Sequence, residues 1–151
     1  MNSSGPGRIA KTLSANDIGL TGGHQSGILI PKTGGVLPFF PALDSTRKNP
    51  RAVLQVVAPE IGPQVFELTF IHYNNRIVES GTRDEYRLTG MTSLLRSLRP
   101  EVGDVLILRR GSEGPLEASL ERSQDSSSAG APPASDGRSE AGSGWFIFEI
   151  E

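Results

Sequence analysis

The sequence predicts a mainly β fold, a closed or nearly closed antiparallel barrel of about seven short strands with one or two short helices. Eighteen Gly and eleven Pro among 151 residues, with 36% hydrophobic residues, favour short elements joined by turns over long amphipathic helices. Short apolar or alternating runs recur between these turns. Closing such strands into a barrel also removes exposed strand edges.

Eight runs have the composition or alternation of strands. They cover residues 8–13, 27–32, 51–58, 64–73, 85–88, 104–110, 116–121 and 145–150. In the fourth run Phe66, Leu68 and Phe70 share one face. His72 continues that face, which favours a buried or half-buried histidine over a ligand. The adjoining YNNR, residues 73–76, is typical of a turn, because Asn tolerates left-handed backbone.

Two segments favour helices. In residues 92–98 Leu94, Leu95 and Leu98 have helical spacing, and Thr92 is a candidate N-cap. A second short helix is predicted over residues 36–43.

The length favours one domain over residues 1–151. Within it, residues 123–143 contain no apolar side chain larger than Ala and predict a flexible low-complexity loop. The run at 145–150 follows, so we expect this loop to be an insertion before a final strand.

Composition and charge exclude several function classes. The chain has no Cys, which excludes disulfides and thiolate sites and favours a reducing cytoplasm. No leader-like or membrane-spanning run is seen. The net charge of −2 is uneven: residues 1–58 carry six Lys+Arg against two Asp+Glu, and residues 111–151 carry two against eight. A basic face therefore remains compatible with the sequence.

Signals for catalysis are poor. The two histidines form no zinc pattern, and neither a Gly-x-Ser-x-Gly elbow nor a nuclease-like carboxylate–lysine spacing is present. We expect no catalytic residue, no metal site and no cofactor.

Residues 82–88, TRDEYRL, form the strongest polar cluster. If they are extended, Arg83, Glu85 and Arg87 lie on one face, while Tyr86 and Leu88 lie on the other. Arginine can bind guanine O6 and N7 with two hydrogen bonds, and a carboxylate can accept one from cytosine N4, so this row could contact G·C pairs. The alternative is a solvated face on which Glu85 pairs with both arginines.

Residues 21–27, TGGHQSG, form a second candidate site. Gly22 and Gly23 allow close approach of a partner, and Thr21, His24 and Gln25 suit phosphates or base edges. An ordinary glycine-rich connection explains the same residues.

Two segments together resemble a known family. KTLSANDIGLTGGHQSGILIPK, residues 11–32, together with IHYNNRIVESGTRDEYRLTG, residues 71–90, is similar to the N-terminal effector-binding domains of EcoRII-type restriction endonucleases. LTGMTSLLRSLRPEVGDVLIL resembles the related plant B-three domains. The resemblance implies a DNA-binding pseudobarrel, that is, a seven-stranded open pseudobarrel with one or two short helices.

The resemblance also implies a partner and a site. Two arms would hold double-stranded DNA in the major groove, one monomer on one CC(A/T)GG site, and a nuclease domain would be fused to the domain in the full-length protein. By this resemblance His24 in the N-terminal arm matches a DNA-contacting histidine of the family, and the C-terminal arm is residues 74–88, where Arg83, Glu85 and Arg87 align with family residues that read bases. Arg76, in the predicted turn, suits a phosphate. The full set of expected DNA-binding residues is Ser14, Asn16, Thr21, Gly22, Gly23, His24, Gln25, Arg76, Arg83, Asp84, Glu85, Tyr86 and Arg87.

The chain departs from the family pattern at three places. Leu29 and Tyr86 stand where the founding member has a tyrosine and a lysine, and RIVESGTRD is one residue longer. Our hypothesis is a non-catalytic DNA-recognition domain of a restriction endonuclease. The alternatives are a transcription-factor-type binder with another target, a small barrel that binds a peptide or sugar, and, ranked last, a nuclease.

Overall fold

The computed structural model describes residues 7–19, 27–111, 114–123, 138–142 and 144–148, with only the backbone described for 138–142. The strands are β1 Arg8–Thr12, β2 Ile28–Ile30, β3 Arg51–Val57, β4 Val65–Tyr73, β5 Glu85–Thr89, β6 Val105–Arg109, β7 Leu116–Glu121, β8 Arg138–Gly142 and β9 Trp145–Phe148. The helices are a 3₁₀ turn at Leu37–Phe39, α1 at Asn75–Val78 and α2 at Thr92–Leu98. No helix in these ranges is long and apolar enough to span a membrane.

The strands form one curled sheet. In the described residues its order is β2-β5-β4-β3-β7-β6-β1-β9-β8. The indole Nε1 of Trp145 on β9 donates a 2.8 Å hydrogen bond to the carbonyl of Leu29 on β2, which joins opposite sides of the sheet. The mainly β, open pseudobarrel is confirmed, with nine strands in place of the predicted seven. The pairing is also not entirely antiparallel, since β3 and β7 run parallel at Val56 and Leu116.

Side chains that alternate along the strands fill the barrel. Phe66, Leu68 and Phe70 of β4 are buried on the face that their spacing predicts, and they pack with residues such as Leu88 and Leu108 in one cluster. Burial of each such side chain contributes roughly 1.5 to 3 kcal/mol. This core fixes the register of β4 and β5, because a slip of one residue would turn the apolar side chains outward.

Helix α2 spans the predicted residues but begins differently. Leu94, Leu95 and Leu98 are buried, as their spacing predicts. The prediction of Thr92 as N-cap is wrong: the amide of Leu95 donates to the carbonyl of Met91, so Met91 is the cap and Thr92 is the first helical residue. The predicted second helix is a 3₁₀ turn of three residues.

The prediction of a turn at residues 73–76 is partly wrong, because α1 makes one helical turn from Asn75 to Val78. The amides of Ile77 and Val78 both donate to the carbonyl of Asn74. The side chain of Asn74 is itself hydrogen-bonded to the backbone of Asn49 and Arg47, and these long-range bonds hold the residue in place.

Strand β8 falls inside the range predicted as a flexible loop. Residues 138–142 pair antiparallel with β9, with an irregularity between Glu140 and Gly142. Strand pairing needs only backbone donors and acceptors, so a polar segment can form an edge strand without an apolar signal. The rest of that range beyond Ser123, and residues 149–150 of the final predicted strand, lie outside the described residues.

Candidate nucleic-acid interface

One end of the barrel gathers four strand termini. We call it the Glu85 end: β5 begins there at Glu85 opposite Tyr73, the last residue of β4, and β3 begins at Arg51 opposite Ile71. Strand β2 ends there, with Ile30 opposite Tyr86. Residues 74–84, the β4–β5 segment, connect the two strands at this end and correspond to most of the predicted C-terminal arm.

Arg83, Glu85 and Arg87 lie side by side, as their spacing predicts. We call them the polar row. Nη2 of Arg83 and Nε of Arg87 both donate to Oε2 of Glu85, at 2.6 and 2.8 Å. Their side chains are 40%, 28% and 22% exposed, respectively. The row is therefore ordered by its own ion pairs while remaining open to a partner.

The carboxylate of Glu85 is kept ionised by its neighbours. Burial raises the pKa of Glu85, but the hydrogen bonds and charges of Arg83 and Arg87 lower it by more than burial raises it. The pKa of Glu85 therefore lies below its usual value. At neutral pH the row thus offers two cationic donors on either side of an acceptor.

Arg87 is also fixed by the strand beside it. Its Nη1 donates to the carbonyl of Gly27 at 3.1 Å, just before β2. Gly27 has φ +92°, and a Cβ there would lie 2.6 Å from the Leu88 carbonyl oxygen, so a side chain is excluded. Leu29, opposite Arg87 in the register, is 40% exposed. The end of the predicted N-terminal arm is thereby bonded to the polar row.

Arg83 is held by the β4–β5 segment. Its guanidinium lies 3.9 Å from the centre of the Tyr73 ring. Its amide donates to Oδ1 of Asn75, and its carbonyl accepts from the amide of Arg76. Gly81 packs so closely that a Cβ would lie 2.4 Å from the Asn75 side chain. Arg76 itself is exposed on α1, and its contact with DNA stays a prediction.

Asp84, just before β5, and Tyr86, on β5, both contact buried His72 of β4. Asp84 accepts from Nε2 of buried His72 at 2.9 Å and pairs with Lys32 at 2.8 Å. These hydrogen bonds, that of His72 first, lower the pKa of Asp84 to about 2. The Tyr86 ring stacks on His72 at 4.0 Å and on Phe70 at 5.7 Å. Both residues therefore hold β5 to the core, and contact of either with DNA stays a prediction.

His72 is buried, as the alternation predicts, with 4% of its surface exposed. The ionised Asp84 can only accept, so Nε2 of His72 carries the hydrogen and donates. Within the described part of the chain, Nδ1 is buried without a hydrogen-bond partner. The ring is thus a structural link between the aromatic core and the base of the polar row.

The N-terminal candidates are only partly described. Ser14 and Asn16 are exposed in a turn in which the Ser14 amide donates to Oδ2 of Asp17 and the Asp17 amide donates to Oγ of Ser14. Lys11 pairs with the same Asp17 oxygen at 2.8 Å. The remaining candidates, Thr21, Gly22, Gly23, His24 and Gln25, lie outside the described residues.

The sequence does not show which partners three residues of this site have. Tyr73 contacts Arg83, Gly27 accepts from Arg87, and Lys32 pairs with Asp84. The register across β2, β4 and β5 brings these partners together. Among the residues that the structure describes, no group of three or more His, Asp or Glu side chains could hold a metal ion.

Comparison with known protein families identifies the family of this chain. The family described as "Restriction endonuclease EcoRII, N-terminal" matches residues 4–118, which contain both predicted arms, and the chain belongs to this family. The chain is also 42% identical over 80 residues to the type II restriction enzyme EcoRII of Escherichia coli. That match covers 52% of this chain and 19% of the EcoRII protein, so it spans about a fifth of the relative's length. The resemblance that the two arm motifs indicate is confirmed.

Proposed function

We propose that this chain is the sequence-specific DNA-recognition, or effector, domain of a type II restriction endonuclease. The observation that carries the proposal is the polar row, whose two arginines are each oriented by a second contact, with Gly27 or with Tyr73. Membership in the EcoRII N-terminal family supports it. In this proposal the domain binds double-stranded DNA as a monomer and performs no catalysis itself.

The chemistry of the row suits the major groove. Side chains two residues apart on a strand are about 6.7 Å apart, which covers roughly two base steps of about 3.4 Å. Arg83 and Arg87 can each bind guanine O6 and N7, and the ionised Glu85 can accept from cytosine N4. The expected target CC(A/T)GG, carried over from the family resemblance, offers both kinds of base.

The two arms would contribute in different ways. Gly22 and Gly23 let backbone approach the duplex, and His24 is the proposed N-terminal contact with DNA. Arg76, exposed on α1, suits a phosphate. The hydrogen bond from Arg87 to the carbonyl of Gly27 supports binding by both arms together. It connects the end of the N-terminal arm to the polar row, which is the proposed base-contacting part of the C-terminal arm.

The nuclease activity of the proposed whole protein would reside elsewhere. The chain matches only 19% of the EcoRII relative, which leaves most of that protein for other domains. We propose a fused nuclease domain in the longer protein and a cytoplasmic location for it.

The test is a titration of the chain with a duplex containing CCTGG and with a scrambled duplex, each at two salt concentrations. Tight binding to CCTGG alone, weakening with salt, is the expected result, because phosphate contacts release counterions. Equal binding to both duplexes would rule out CC(A/T)GG as the target, and selection from a random DNA pool would then be needed to find the sequence that the chain prefers. Binding to neither, or magnesium-dependent cleavage, would overturn the proposed recognition role itself.

A further inference from the structure

A loop outside both predicted arms is fastened to the β4–β5 segment. Residues 44–50 precede β3 and lie at the Glu85 end of the barrel. Oδ1 of Asn74 accepts from the amide of Asn49 at 2.8 Å, and Oδ1 of Asn49 accepts from the amide of Asn74 at 3.2 Å. Nδ2 of Asn74 donates to the carbonyl of Arg47 at 2.7 Å. The loop and the segment therefore form one rigid unit.

This attachment replaces an ordinary helix cap. Asn74 occupies the N-cap position of α1, where an Asn side chain usually accepts from an amide of the first turn. Here it makes no such bond, and its fully buried side chain bonds the loop instead. Asn49 takes φ +50° in the same arrangement, a conformation that Asn tolerates better than most residues. The Asn74 side chain therefore fixes the loop instead of capping α1.

The loop and the first residue of β3 present mainly positive charge to solvent. Arg47 and Lys48 of the loop and Arg51 of β3 are all exposed. Lys48 pairs with Glu79 of the β4–β5 segment at 3.1 Å, with both side chains 53% exposed. A pair this exposed contributes little to stability. The sole acid of the loop, Asp44, is turned toward its own Thr46, whose hydroxyl donates to it at 2.6 Å.

Long, exposed Lys and Arg side chains on a rigid loop suit the phosphates of a polyanion better than base edges. The loop precedes β3, which pairs with β4 on the side of β4 away from β5 and the polar row. If the row occupies the major groove, side chains beside the segment would face the sugar–phosphate backbone that borders it.

We infer that residues 44–51 are a third DNA-contacting element, in which Arg47 and Lys48 bind backbone phosphates that flank the target and add affinity without sequence preference. The inference rests on the proposed function. It further assigns Glu79 as an internal competitor, which holds Lys48 in the free protein and releases it to the phosphate.

The experiment measures binding of the chain to the CCTGG and scrambled duplexes over a range of salt concentrations. For the double variant Arg47→Gln/Lys48→Gln, the slope of log K against log salt should fall by about 1.8, since each phosphate contact contributes about 0.9. The loss should be equal on both duplexes, so discrimination is retained. Glu79→Gln should act in the opposite direction and strengthen binding to both.

The matched control is Arg8→Gln/Arg109→Gln, which removes two exposed arginines that face each other on β1 and β6, strands that are not neighbours of β4 or β5 in the sheet order. Its salt slope should equal that of the unchanged protein, and melting temperatures should show all variants folded. An unchanged slope for the loop variant, with discrimination of CCTGG intact, would overturn the inference and leave the proposed function standing. An equal fall in the control would also overturn it, because net charge would then explain the effect. Failure of the unchanged chain to bind either duplex would instead defeat the proposed function.

Discussion

Two arginine–glutamate clusters on the same sheet differ in what surrounds them. In the polar row, Glu85 accepts from two arginines, and each arginine has a further contact, with the Gly27 carbonyl or the Tyr73 ring. On β6 and β7, Arg109 pairs with Glu117 directly across the strands, with side chains 59% and 44% exposed. The row lies four strands from β6 in the sheet, about 19 Å away along it.

The difference shows that an ion pair alone does not indicate a binding site. Exposed pairs of the Arg109–Glu117 kind are common and contribute little. The guanidinium groups of the row are instead oriented before any ligand arrives, which lowers the entropy lost on binding. We therefore expect changes in the row to alter DNA discrimination and matched changes in the other pair to leave it intact.

The largest effect in this comparison is expected from Glu85→Gln. The amide of Gln is an uncharged and weaker acceptor for cytosine N4 and no longer forms ion pairs with the two arginines, so discrimination between CCTGG and scrambled DNA should fall by about 1 to 3 kcal/mol. Binding to scrambled DNA should rise slightly, because one negative charge is gone. The same titration with Glu117→Gln is the control. Equal discrimination in the two variants would mean that Glu85 contributes to base recognition neither directly nor by orienting its two arginines.

A smaller effect is expected from Tyr73→Leu, which removes the ring beneath Arg83 but keeps an apolar side chain. A cation–π contact at a partly exposed site contributes about 0.5 to 1 kcal/mol, and discrimination should fall by a comparable amount. Phe retains the aromatic face, so Tyr73→Phe should restore binding. If Tyr73→Phe is as weak as Tyr73→Leu, the hydroxyl and not the ring would be responsible.

The smallest effect is a pH dependence of stability from Asp84. Its pKa is lowered to about 2 by His72 and Lys32, so the ionised form is favoured in the folded state. The resulting stability is complete above the ordinary pKa of about 3.8 and is lost as the pH falls through 2. The difference in melting temperature between the unchanged chain and Asp84→Asn should shrink over that window. If the difference in melting temperature is constant from pH 6 to pH 2, the lowered pKa of Asp84 is contradicted.

The alternation of residues 85–88 was enough to predict both faces of β5. Arg87 points outward and Leu88 is buried because a strand has a period of two residues. The spacing of three leucines likewise predicted the bounds of α2. Both predictions depend on local periodicity, which a single sequence displays.

The contacts that position the site could not be predicted in this way. Asn74 is hydrogen-bonded to Asn49, 25 residues away in the sequence, and Trp145 to Leu29, 116 residues away. No local sequence pattern predicts either bond. Thr92 shows a related limit: its type favours a cap, but the first helical hydrogen bond reaches Met91. For the same reason the sequence identified the polar row without the neighbours that orient it.

The most direct test compares Arg87→Ala with Arg109→Ala on the CCTGG and scrambled duplexes. Arg87→Ala should weaken binding to CCTGG by about 1 to 3 kcal/mol, roughly 5- to 150-fold, with little change on scrambled DNA, while Arg109→Ala should keep the discrimination of the unchanged chain. An equal loss on both duplexes for Arg87→Ala, or an equal loss of discrimination for the two variants, would contradict the claim that the polar row recognises bases.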